Sequence, residues 1–381
     1  MPATLNTITS LTQASLKGKR VLVRADFNVP YGEDGIVDET EAWRIEKGLA
    51  TLRYLREAQA RVVVMSHLGD STASLKPVAE YINKEFQIGF VPQIVGDVVQ
   101  GIVEELPHGG VVLLENLRQH PGEKANEESF AAELSTYGDI YVNDAFSASH
   151  RSHASIVGVP EHLPAYAGIQ CASEYEHLSQ VRTPEQPALL VLAGAKFGTK
   201  LTLLEAYLPK VHRAVVAGAL ANNFYKAMGH SVGDSLVDDG SDIGHLVGNE
   251  KIVIPVDVTV TNATGQVFIR NPRGEILPGE IVADIGPKGT ESIIALAKEA
   301  KTIIWNGPLG NYEAGFSAET AKLARALANV PADVYVGGGD TVTVLNQEGI
   351  TEGFTFVSTA GGAMLDFLVD GELPGLRPLF R

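Results

Sequence analysis

The chain has 381 residues, with 30 Lys and Arg against 46 Asp and Glu, so its formal net charge is −16. This acidic balance argues against a general surface for nucleic acid or for an anionic membrane, since both require a broad basic face, and we expect neither partner. The single cysteine, Cys171, excludes an intramolecular disulfide and a zinc site built on several thiolates.

The N-terminal stretch MPATLNTITSLTQASLKGKR lacks the apolar core of a signal peptide. No apolar run approaches the roughly 20 residues of a membrane span. No heptad pattern stands out either. We therefore expect a cytoplasmic monomer, and the length of the chain predicts two domains.

Short apolar, β-branched runs alternate with helix-like stretches along the chain, which is typical of βαβ units in a parallel sheet. The predicted strands of the first half are 20–24, 61–65, 111–115 and 140–144. Those of the second half are 188–194, 214–218, 251–257, 302–306, 334–338 and 355–359. The pattern predicts an α/β fold of two doubly wound parallel-sheet lobes joined by a hinge helix.

The stretch between the two halves predicts where the lobes join. Residues 173–181 have a helical pattern, and the RTPEQP that follows cannot continue the helix because of its two prolines. We expect an N-terminal lobe at 1–167, a hinge helix and linker at 168–187, and a C-terminal lobe at 188–362. The residues of the tail do not themselves show which lobe it packs on, and we expect 363–381 to return to the N-terminal lobe.

In open α/β sheets ligands bind beyond the carboxyl ends of the strands, so the residues that follow each strand carry the functional signal. In the first lobe these residues are Asp26 and Asn28, Ser66 and His67, Asn116 and Arg118, and His150, Arg151 and His153. Arg44 joins them at the start of a predicted helix. Convergent arginines suit the bidentate binding of phosphate or carboxylate.

Each member of this set also has an ordinary structural explanation. A single arginine is more often a partner in a surface ion pair, and Asp26 or Asn28 could form a turn. His150 and His153 have a spacing that suits a shared metal, but no carboxylate or cysteine completes a ligand set. The grouping, rather than any one residue, predicts a site for a small anion.

Glycine-rich turns follow the strands of the second lobe. VYVGGGDTV at 334–342 places three glycines before Asp340 and Thr341, at the predicted start of a helix. Glycine lets backbone amides approach phosphate oxygens, a helix N-terminus favours anions, and a carboxylate can bind Mg²⁺. A tight turn capped by Asp340 is the alternative. WNGPLGNYE (305–313) and STAGGAMLDF (358–367) supply further Gly-rich turns.

The stretch VLAGAKFGTK at 191–200 resembles a P-loop without matching its spacing. Its two glycines are too close together, and Thr199 precedes Lys200 instead of following it. A plain strand–turn–helix junction is the alternative. With Lys196 and Lys200 in the same lobe as the Gly-rich turns, a nucleotide is the better interpretation. The two lobes together have the layout of a phosphoryl-transfer enzyme that closes over its substrates and excludes water.

Many short motifs resemble those of the phosphoglycerate kinase family, in the family's order and over nearly the whole chain. They are VRADFNVP, RI at 44–45, SHLG, LLENLR, NDAFSASHRSHAS, GAKFGTK, PVDVTV, DIGPK, WNGPLGNYE, GGGDTV and STAGGAMLDF. The resemblance implies reversible phosphoryl transfer between 1,3-bisphosphoglycerate and ADP, giving 3-phosphoglycerate and ATP, as in glycolysis and gluconeogenesis. It also implies Mg²⁺ as the cofactor and direct transfer without a covalent enzyme intermediate.

The resemblance further implies roles for the residues at matching positions. The substrate-binding residues would be Asp26, Asn28, Arg44, His67, Arg118 and Arg151. The nucleotide-binding residues would be Lys196, Lys200, Gly218, Asn306, Glu313, Gly338, Gly339, Asp340 and Thr341, with Asp340 also at the metal. The catalytic residues would be Arg44, Lys196, Gly338 and Gly339. Phosphoryl transfer needs alignment and neutralisation of the charge on the equatorial oxygens, and these groups can provide both.

Three departures from the family's pattern bear on affinity. The family continues SHLG with Arg and Pro, and that Arg helps bind the substrate phosphate, whereas Asp70 and Ser71 follow here. Either Asp70 points to solvent, or charge repulsion reduces the affinity for phosphoglycerate. Thr199 stands where the family has an acidic residue, and Phe197 where it has a small aliphatic one. Gly218 alone remains of a glycine run around the adenosine, so base affinity or preference could differ.

A family-like protein that binds anions or nucleotides with weak or no catalysis is the alternative, motivated by Asp70 and Thr199. Against it, the groups that the reaction needs are present: Arg44, Lys196, Lys200, Glu313 and Asp340. An NAD-dependent dehydrogenase is disfavoured, because no G-x-G-x-x-G opens the first βα turn with an acidic residue about 20 positions later.

Overall fold

The computed structural model describes residues 4–240 and 242–380, which form two compact units. One unit comprises the chain up to Glu176 together with the segment that begins at Glu372, and the other comprises His177–Gly371. The outermost ends of the predicted domains, 1–3 and 381, lie outside the described residues. The domain boundaries given above stay a prediction.

Six parallel strands form the centre of the first unit. In chain order they are β1 (Arg20–Arg24), β2 (Arg61–Met65), β3 (Gly89–Val91), β4 (Val111–Leu114), β5 (Ile140–Asn143) and β6 (Ala165–Ala167). They lie in the order β3-β4-β2-β1-β5-β6, so that β1 pairs with both β2 and β5. Val21 and Val23 pack into one core cluster with Leu52, whereas Leu22 packs into another with Phe130. Both faces are covered, which explains why the strands are apolar without a break.

Helices supply the residues that cover this sheet. They are α1 (Gln13–Leu16), α2 (Trp43–Glu57), α3 (Lys76–Ile82), α4 (Asp97–Glu105), α5 (Pro121–Ala125), α6 (Glu128–Ser135), α7 (Val159–His162) and α8 (Ile169–Gln180). A π-helical turn, Ala154–Gly158, runs directly into α7. The boundary between the two units lies within α8. The first turn of α8 is held by Asp144, which accepts a hydrogen bond from the amide of Cys171 at 3.1 Å.

The segment that begins at Glu372 packs into the first unit beside the N-terminal residues. Leu5 and Phe380 form an antiparallel bridge, and the amide of Asn6 donates to the carbonyl of Leu379 at 2.8 Å. The amide of Gly375 donates to the carbonyl of Ser149 at 2.9 Å. These bonds make residues far apart in sequence parts of one unit.

The second unit also has a six-stranded parallel sheet, together with a smaller antiparallel one. The parallel strands are β7 (Ala188–Leu192), β8 (Arg213–Val216), β9 (Ile252–Val253), β13 (Thr302–Asn306), β14 (Asp333–Gly337) and β15 (Phe356–Val357). The antiparallel strands are β10 (Val258–Asn262), β11 (Val267–Arg270) and β12 (Glu280–Ile285). The parallel sheet has the order β15-β14-β13-β7-β8-β9, and the antiparallel sheet has the order β11-β10-β12.

Six described helices accompany these sheets. They are α9 (Phe197–Tyr207), α10 (Ala219–Ala227), α11 (Pro287–Glu299), α12 (Ala318–Leu327), α13 (Gly339–Glu348) and α14 (Gly362–Asp370). The core on one face of the parallel sheet contains the fully buried Trp305, with Val191 of β7, Ile293 of α11 and Leu323 of α12 around it. The sheet therefore presents its strand ends from a rigid, close-packed base.

The predicted fold class, two parallel-sheet α/β lobes joined by a helix, is confirmed. The strand predicted at 251–257 is too long, because only Ile252–Val253 pairs in the sheet. Pro255 has no N–H to offer a neighbouring strand. Asp257 instead caps α11 by accepting hydrogen bonds from the amides of Lys288 and Gly289 at 3.1 and 2.7 Å. The antiparallel sheet and the short strands β3 and β6 were not predicted.

Candidate active site

The loops that follow β1, β2 and β5 meet at one edge of the first sheet. The amide of Phe27 donates to Ser66 Oγ at 2.9 Å, and the amide of Gly69 donates to Asn28 Oδ1 at 2.9 Å. The hydroxyl of Ser147 donates to Asp26 Oδ2. Parallel strands end at the same edge, so side chains distant in sequence are brought together there.

A buried arginine lies beneath this edge. Arg24, the last residue of β1, is 1% exposed. Its Nε donates to Ser155 Oγ at 2.9 Å and its Nη1 to the carbonyl of Ala25 at 2.6 Å. Its Nη2 lies 3.1 Å from Nδ1 of His67. Burial, followed by the charge of Arg24, places the pKa of His67 well below its ordinary value, so the ring is neutral at pH 7.

Asp26 lies 4.0 Å from the same ring nitrogen, measured from Oδ1 to His67 Nδ1. Burial raises the pKa of Asp26, but the charge that His67 carries when protonated, the Ser147 hydroxyl and the charges of Arg44 and Arg24 act against it. The pKa therefore lies below its ordinary value, and Asp26 is a carboxylate at neutral pH.

Arg118 and Arg151 also lie at this edge. Neither forms a salt bridge with a carboxylate of the described residues, 4–240 and 242–380. Arg118 donates from Nη1 to the carbonyl of Gly69, while its Nε is buried and has no partner there. Burial, and then the charges of Arg151 and Arg24, lower the pKa of Arg118. The repulsion of Arg118 by Arg151, and by Arg24 beneath the edge, would be relieved by an anion, so this edge favours anion binding.

Arg44 lies in the first turn of α2 and is held by its own neighbours. Its Nε donates to Glu41 Oε2 at 2.7 Å, and its guanidinium lies 5.0 Å from the ring centroid of Trp43. Both side chains of the ion pair are 20% exposed. Its charge lowers the pKa of Asp26, which places the guanidinium within electrostatic reach of this edge.

Asp70, the departure in SHLG, is exposed and folds back on its own turn. Its Oδ1 accepts hydrogen bonds from the amide and the hydroxyl of Thr72 at 2.8 and 2.7 Å. The hydrogen bonds to Thr72 lower the pKa of Asp70. Asn116 fixes the backbone of this loop by donating from Nδ2 to the carbonyls of Leu68, Asp70 and Ala73. The solvent-directed alternative given above for Asp70 is therefore the one that this geometry favours.

A carboxylate, that of Glu123 in α5, lies near His153. Glu123 Oε1 lies 3.8 Å from His153 Nδ1. Both carboxylate oxygens are already used, since the hydroxyl of Ser155 donates to Oε1 at 2.6 Å and its amide to Oε2 at 3.0 Å. The described residues contain no group of three or more His, Cys, Asp or Glu arranged to hold a metal.

In the second unit, the stretch after β7 turns into α9 and places a lysine in the interior. Lys200 is 4% exposed, and its Nζ donates to the carbonyl of Ala193. A Cβ on Gly194 or Gly307 would come within 2.9 or 2.7 Å of that ammonium. Burial, followed by the charge of Lys196, lowers the pKa of Lys200 to about 8. Lys196 itself is exposed at the N-terminus of α9.

Three consecutive glycines, at 337–339, connect the end of β14 to the first residue of α13. Gly338 has φ of +104°, a conformation that favours glycine, and precedes the first residue of the helix, Gly339. Asp340 lies exposed in the first turn, and the hydroxyl of Thr341 is buried with no partner in the part of the chain that the structure describes. The first amides of a helix have no carbonyl partners within it, so this turn can bind an anion.

A cavity of about 330 Å³ opens beside these turns. It is lined by residues of strand β12, of the loops after β7, β8 and β13 and of the first turn of α13, among them Gly194, Gly218, Asp284, Leu309, Glu313 and Asp340. Gly218 has φ of +58°, and a Cβ there would meet the amide nitrogen of Gly194 at 2.7 Å. The close approach of the two loops at this wall therefore requires glycine.

The structure brings three predicted nucleotide residues, Gly218, Glu313 and Asp340, to this cavity. Asn306 is different, because it is 3% exposed at the end of β13 and its Nδ2 contacts the sulfur of Met364 at 3.9 Å. Among the described residues, neither Asn306 nor the two lysines lines the cavity wall.

Sequence reasoning missed two residues of functional interest, Asp284 in the cavity wall and Arg24. Burial raises the pKa of Asp284 to about 7, and the neighbouring Glu319 adds to the rise. The motif DIGPK contains Asp284, but its place beside the loop at 308–313 depends on β12, which was not predicted. Arg24 was treated only as a strand residue in RVLVR.

No helix in the described residues is long and apolar enough to cross a membrane. A model of the phosphoglycerate kinase family matches residues 11–371. The phosphoglycerate kinase of Coprothermobacter proteolyticus is 39% identical, over 97% of this chain and 98% of the relative. That of Aquifex aeolicus is 40% identical, over 96% of this chain and 97% of the relative.

Solved structures agree with these matches. The phosphoglycerate kinase of Coxiella burnetii has a TM-score of 0.82 at 34% identity and covers 99% of both chains. That of Pyrococcus horikoshii has a TM-score of 0.86 at 28% identity and covers 98% of both chains. With the family model and relatives of this identity over nearly the full length, the chain belongs to the phosphoglycerate kinase family and is a phosphotransferase with a carboxyl group as acceptor.

Proposed function

We propose that the chain catalyses reversible, Mg²⁺-dependent phosphoryl transfer between 1,3-bisphosphoglycerate and ADP, giving 3-phosphoglycerate and ATP, in cytoplasmic glycolysis and gluconeogenesis. The observation that carries this proposal is that each unit contains a different kind of anion-binding site. The first unit has guanidinium groups without carboxylate partners in the described residues. The second unit has a glycine-walled cavity beside a helix N-terminus.

The anionic substrate would bind at the strand edge of the first unit. Arg118 and Arg151 would neutralise its negative groups, and neutral His67 would donate a single hydrogen bond. Asp26 and Asn28 would bind or orient the substrate's polar groups, with Asp26 held as a carboxylate. Arg44 would leave Glu41 to meet the charge that develops on the transferring group.

The nucleotide would occupy the cavity of the second unit. Its phosphates would meet the amides of Gly338 and Gly339 at the start of α13, together with the ammonium groups of Lys196 and Lys200. Gly218 and Glu313 would lie against the nucleoside, where their place in the cavity wall supports this role. Asn306 and Thr341 are buried close to the same strand ends and would support the phosphate-binding turn.

The donors at the cavity suit Mg²⁺. Asp340 offers an exposed carboxylate, and Mg²⁺ is commonly bound by one or two carboxylates together with nucleotide phosphates. Bound with the nucleotide, Mg²⁺ would supply further neutralisation of phosphate charge. The residues of the chain would align an in-line transfer after the lobes close on the substrates, with Lys196 and Arg44 stabilising the charge on the equatorial oxygens.

The test is a coupled assay of the purified protein with MgATP and 3-phosphoglycerate, in which glyceraldehyde-3-phosphate dehydrogenase converts the product and oxidises NADH. We expect turnover at roughly 1–10³ s⁻¹, the ordinary range for enzymes. Activity should disappear with a chelator and return with added Mg²⁺. ADP binding without turnover would support the family-like binding protein instead. Sedimentation of the same sample would test the proposed monomer.

A further inference from the structure

The hydrogen bond between Arg24 and His67 fixes which nitrogen of the imidazole carries the proton. Arg24 Nη2 lies 3.1 Å from His67 Nδ1. A guanidinium offers only donors and keeps its charge in proteins, so Nδ1 must be the acceptor. A neutral imidazole that accepts at Nδ1 carries its proton on Nε2.

The competing tautomer has no comparable support. Asp26 Oδ1 is the carboxylate oxygen beside Nδ1, but at 4.0 Å it is too far for a hydrogen bond. A proton on Nδ1 would also point at the N–H of Arg24 and leave both donors unpaired in the interior, where His67 is 5% and Arg24 1% exposed. Nε2 makes no hydrogen bond within 4–240 and 242–380, so its proton remains available to a ligand.

Arg24 is itself held rigidly by a buried relay. Its Nε donates to Ser155 Oγ at 2.9 Å, and that hydroxyl donates onward to Glu123 Oε1 at 2.6 Å. Glu123 is fully buried and accepts the amide of Ser155 with its other oxygen. The charge of Arg24 is therefore balanced through Ser155, and its Nη2 stays directed at the imidazole instead of at a carboxylate.

We propose that Arg24 is a positioning residue that holds His67 as the neutral tautomer with its proton on Nε2, directed to the anionic substrate. The proposal rests on the proposed function, which places His67 in the substrate site. Arg24 acts on the substrate through His67, because its side chain is only 1% exposed and three of its five N–H groups are engaged by Ser155, the carbonyl of Ala25 and His67.

The direct test is the protonation state of the His67 ring nitrogens in the free protein, read by long-range ¹H–¹⁵N correlation at pH 7. The signals of His67 are identified by their loss in His67→Gln. We expect Nδ1 in the unprotonated shift range and Nε2 in the protonated range. On saturation with 3-phosphoglycerate, the Nε2 signal should move while Nδ1 keeps its unprotonated shift. This experiment needs no variant of Arg24, so it does not depend on whether such a variant folds.

Arg24→Met then tests the cause. With the guanidinium gone, His67 should populate both tautomers, and KM for 3-phosphoglycerate should rise about tenfold, with kcat changing less. Arg24→Lys keeps a donor and should restore the Nε2–H tautomer at least in part. Arg20→Met is the matched control, because Arg20 lies on the same strand but pairs with Asp139, 2.7 Å away in a partly exposed ion pair. It should leave the His67 spectrum and KM unchanged.

The outcomes separate this inference from the proposed function. A proton on Nδ1, or a charged ring, in the free protein overturns the inference whatever the activity. A native Nε2–H tautomer whose signal ignores 3-phosphoglycerate in an enzyme that turns over refutes the role of Arg24 toward substrate and leaves the proposed function standing. Absence of both turnover and 3-phosphoglycerate binding removes the proposed function, and the substrate role of Arg24 with it.

Discussion

The two candidate binding sites, one in each unit, are built in opposite ways. In the first unit, side chains fix one another: Arg24 holds His67, Ser147 holds Asp26, and Asn116 holds three carbonyls of the Asp70 loop. In the second unit the site is largely backbone, where Gly338 and Gly218 have positive φ values and the cavity wall closes on glycines. Fixed charges suit the small multivalent anion proposed for the first unit, whereas close access to backbone amides suits the triphosphate chain proposed for the second unit.

The largest effect on activity should come from removing the exposed side chain of Lys196 in the second unit, where the candidate site is built mainly from backbone. Lys196→Ala should lower kcat by roughly 10²–10³, as expected for the loss of one preorganised donor to the transition state, with little change in the Kd for ADP. Steady-state kinetics and calorimetric titration measure the two quantities. Lys298→Ala, a lysine in the last turn of α11, is the control. A rise confined to KM would show that Lys196 contributes to substrate binding and not to stabilisation of the transition state. The transition-state contacts of the second unit would then come from its backbone amides alone.

The next prediction tests whether that backbone needs its glycines. Gly307 has φ of +97°, and a Cβ there would clash with the carbonyl of Ala193 and lie 2.7 Å from Lys200 Nζ. Gly307→Ala should destabilise the protein by about 1–3 kcal/mol beyond the cost of positive φ alone, and weaken ADP binding. Gly248→Ala is the matched control, since Gly248 has φ of +82° with nothing within 4 Å of a Cβ. Equal losses of stability in the two variants would contradict the close-packing argument.

A smaller effect should follow from the buried charge of Lys200, whose pKa is lowered to about 8. Nucleotide phosphates bind the ammonium form, so the affinity for ADP should fall as pH rises above about 8, by up to about tenfold per pH unit. Stability should change in the opposite direction. Between the folded pKa and the ordinary value of 10.5 the unfolded chain binds more protons, so unfolding free energy rises with pH in that window.

Titration calorimetry with ADP between pH 7 and pH 10 measures the first effect, and denaturant unfolding at the same pH values measures the second. Lys200→Arg keeps the charge at every pH and should remove both dependences. An affinity for ADP that stays level across this range in the native protein would show that Lys200 does not contact nucleotide phosphate.

The smallest expected effect concerns the Asp70 loop of the first unit, where the sequence departs from the family's pattern. Asp70 is exposed and occupied with Thr72, so Asp70→Arg should lower KM for 3-phosphoglycerate only by roughly two- to fivefold, the scale of an exposed charge pair. Asp70→Asn separates the removal of a negative charge from the addition of a positive one. An unchanged KM in both variants would place Asp70 outside the reach of the substrate.

The sequence predicted the parallel sheets well because their strands are continuous apolar runs between helical stretches, as in RVVVM and TIIWN, which match β2 and β13. The sequence-based prediction failed where tertiary contacts decide whether a segment forms a strand and which sheet it joins. Pro255 ends a run that otherwise looks like a strand, and the hairpin around Asn262 and Gly265 then continues in a separate sheet. The strand ends similarly predicted which side chains gather in the first unit.

The supporting groups could not be predicted in the same way. Arg24 looks like an ordinary strand residue, and Glu123 lies in a short helix far from it in sequence. Their connection exists only because the π-helical turn presents Ser155 to both. Residues of the cavity wall such as Asp284 were missed for a related reason. The other residues of the wall come from loops distant in sequence, and local sequence patterns do not predict how such loops pack together.

The return of the segment from Glu372 to the first unit has a consequence for biosynthesis. The second unit, His177–Gly371, is continuous in sequence and can be completed as soon as its own residues have left the ribosome. The first unit must wait until residues after Gly371 have been made, because Asn6 bonds to Leu379 and Ser149 to Gly375. The unit that is synthesised first therefore completes its packing last. Until the end of translation, it lacks the segment that packs beside its N-terminal residues.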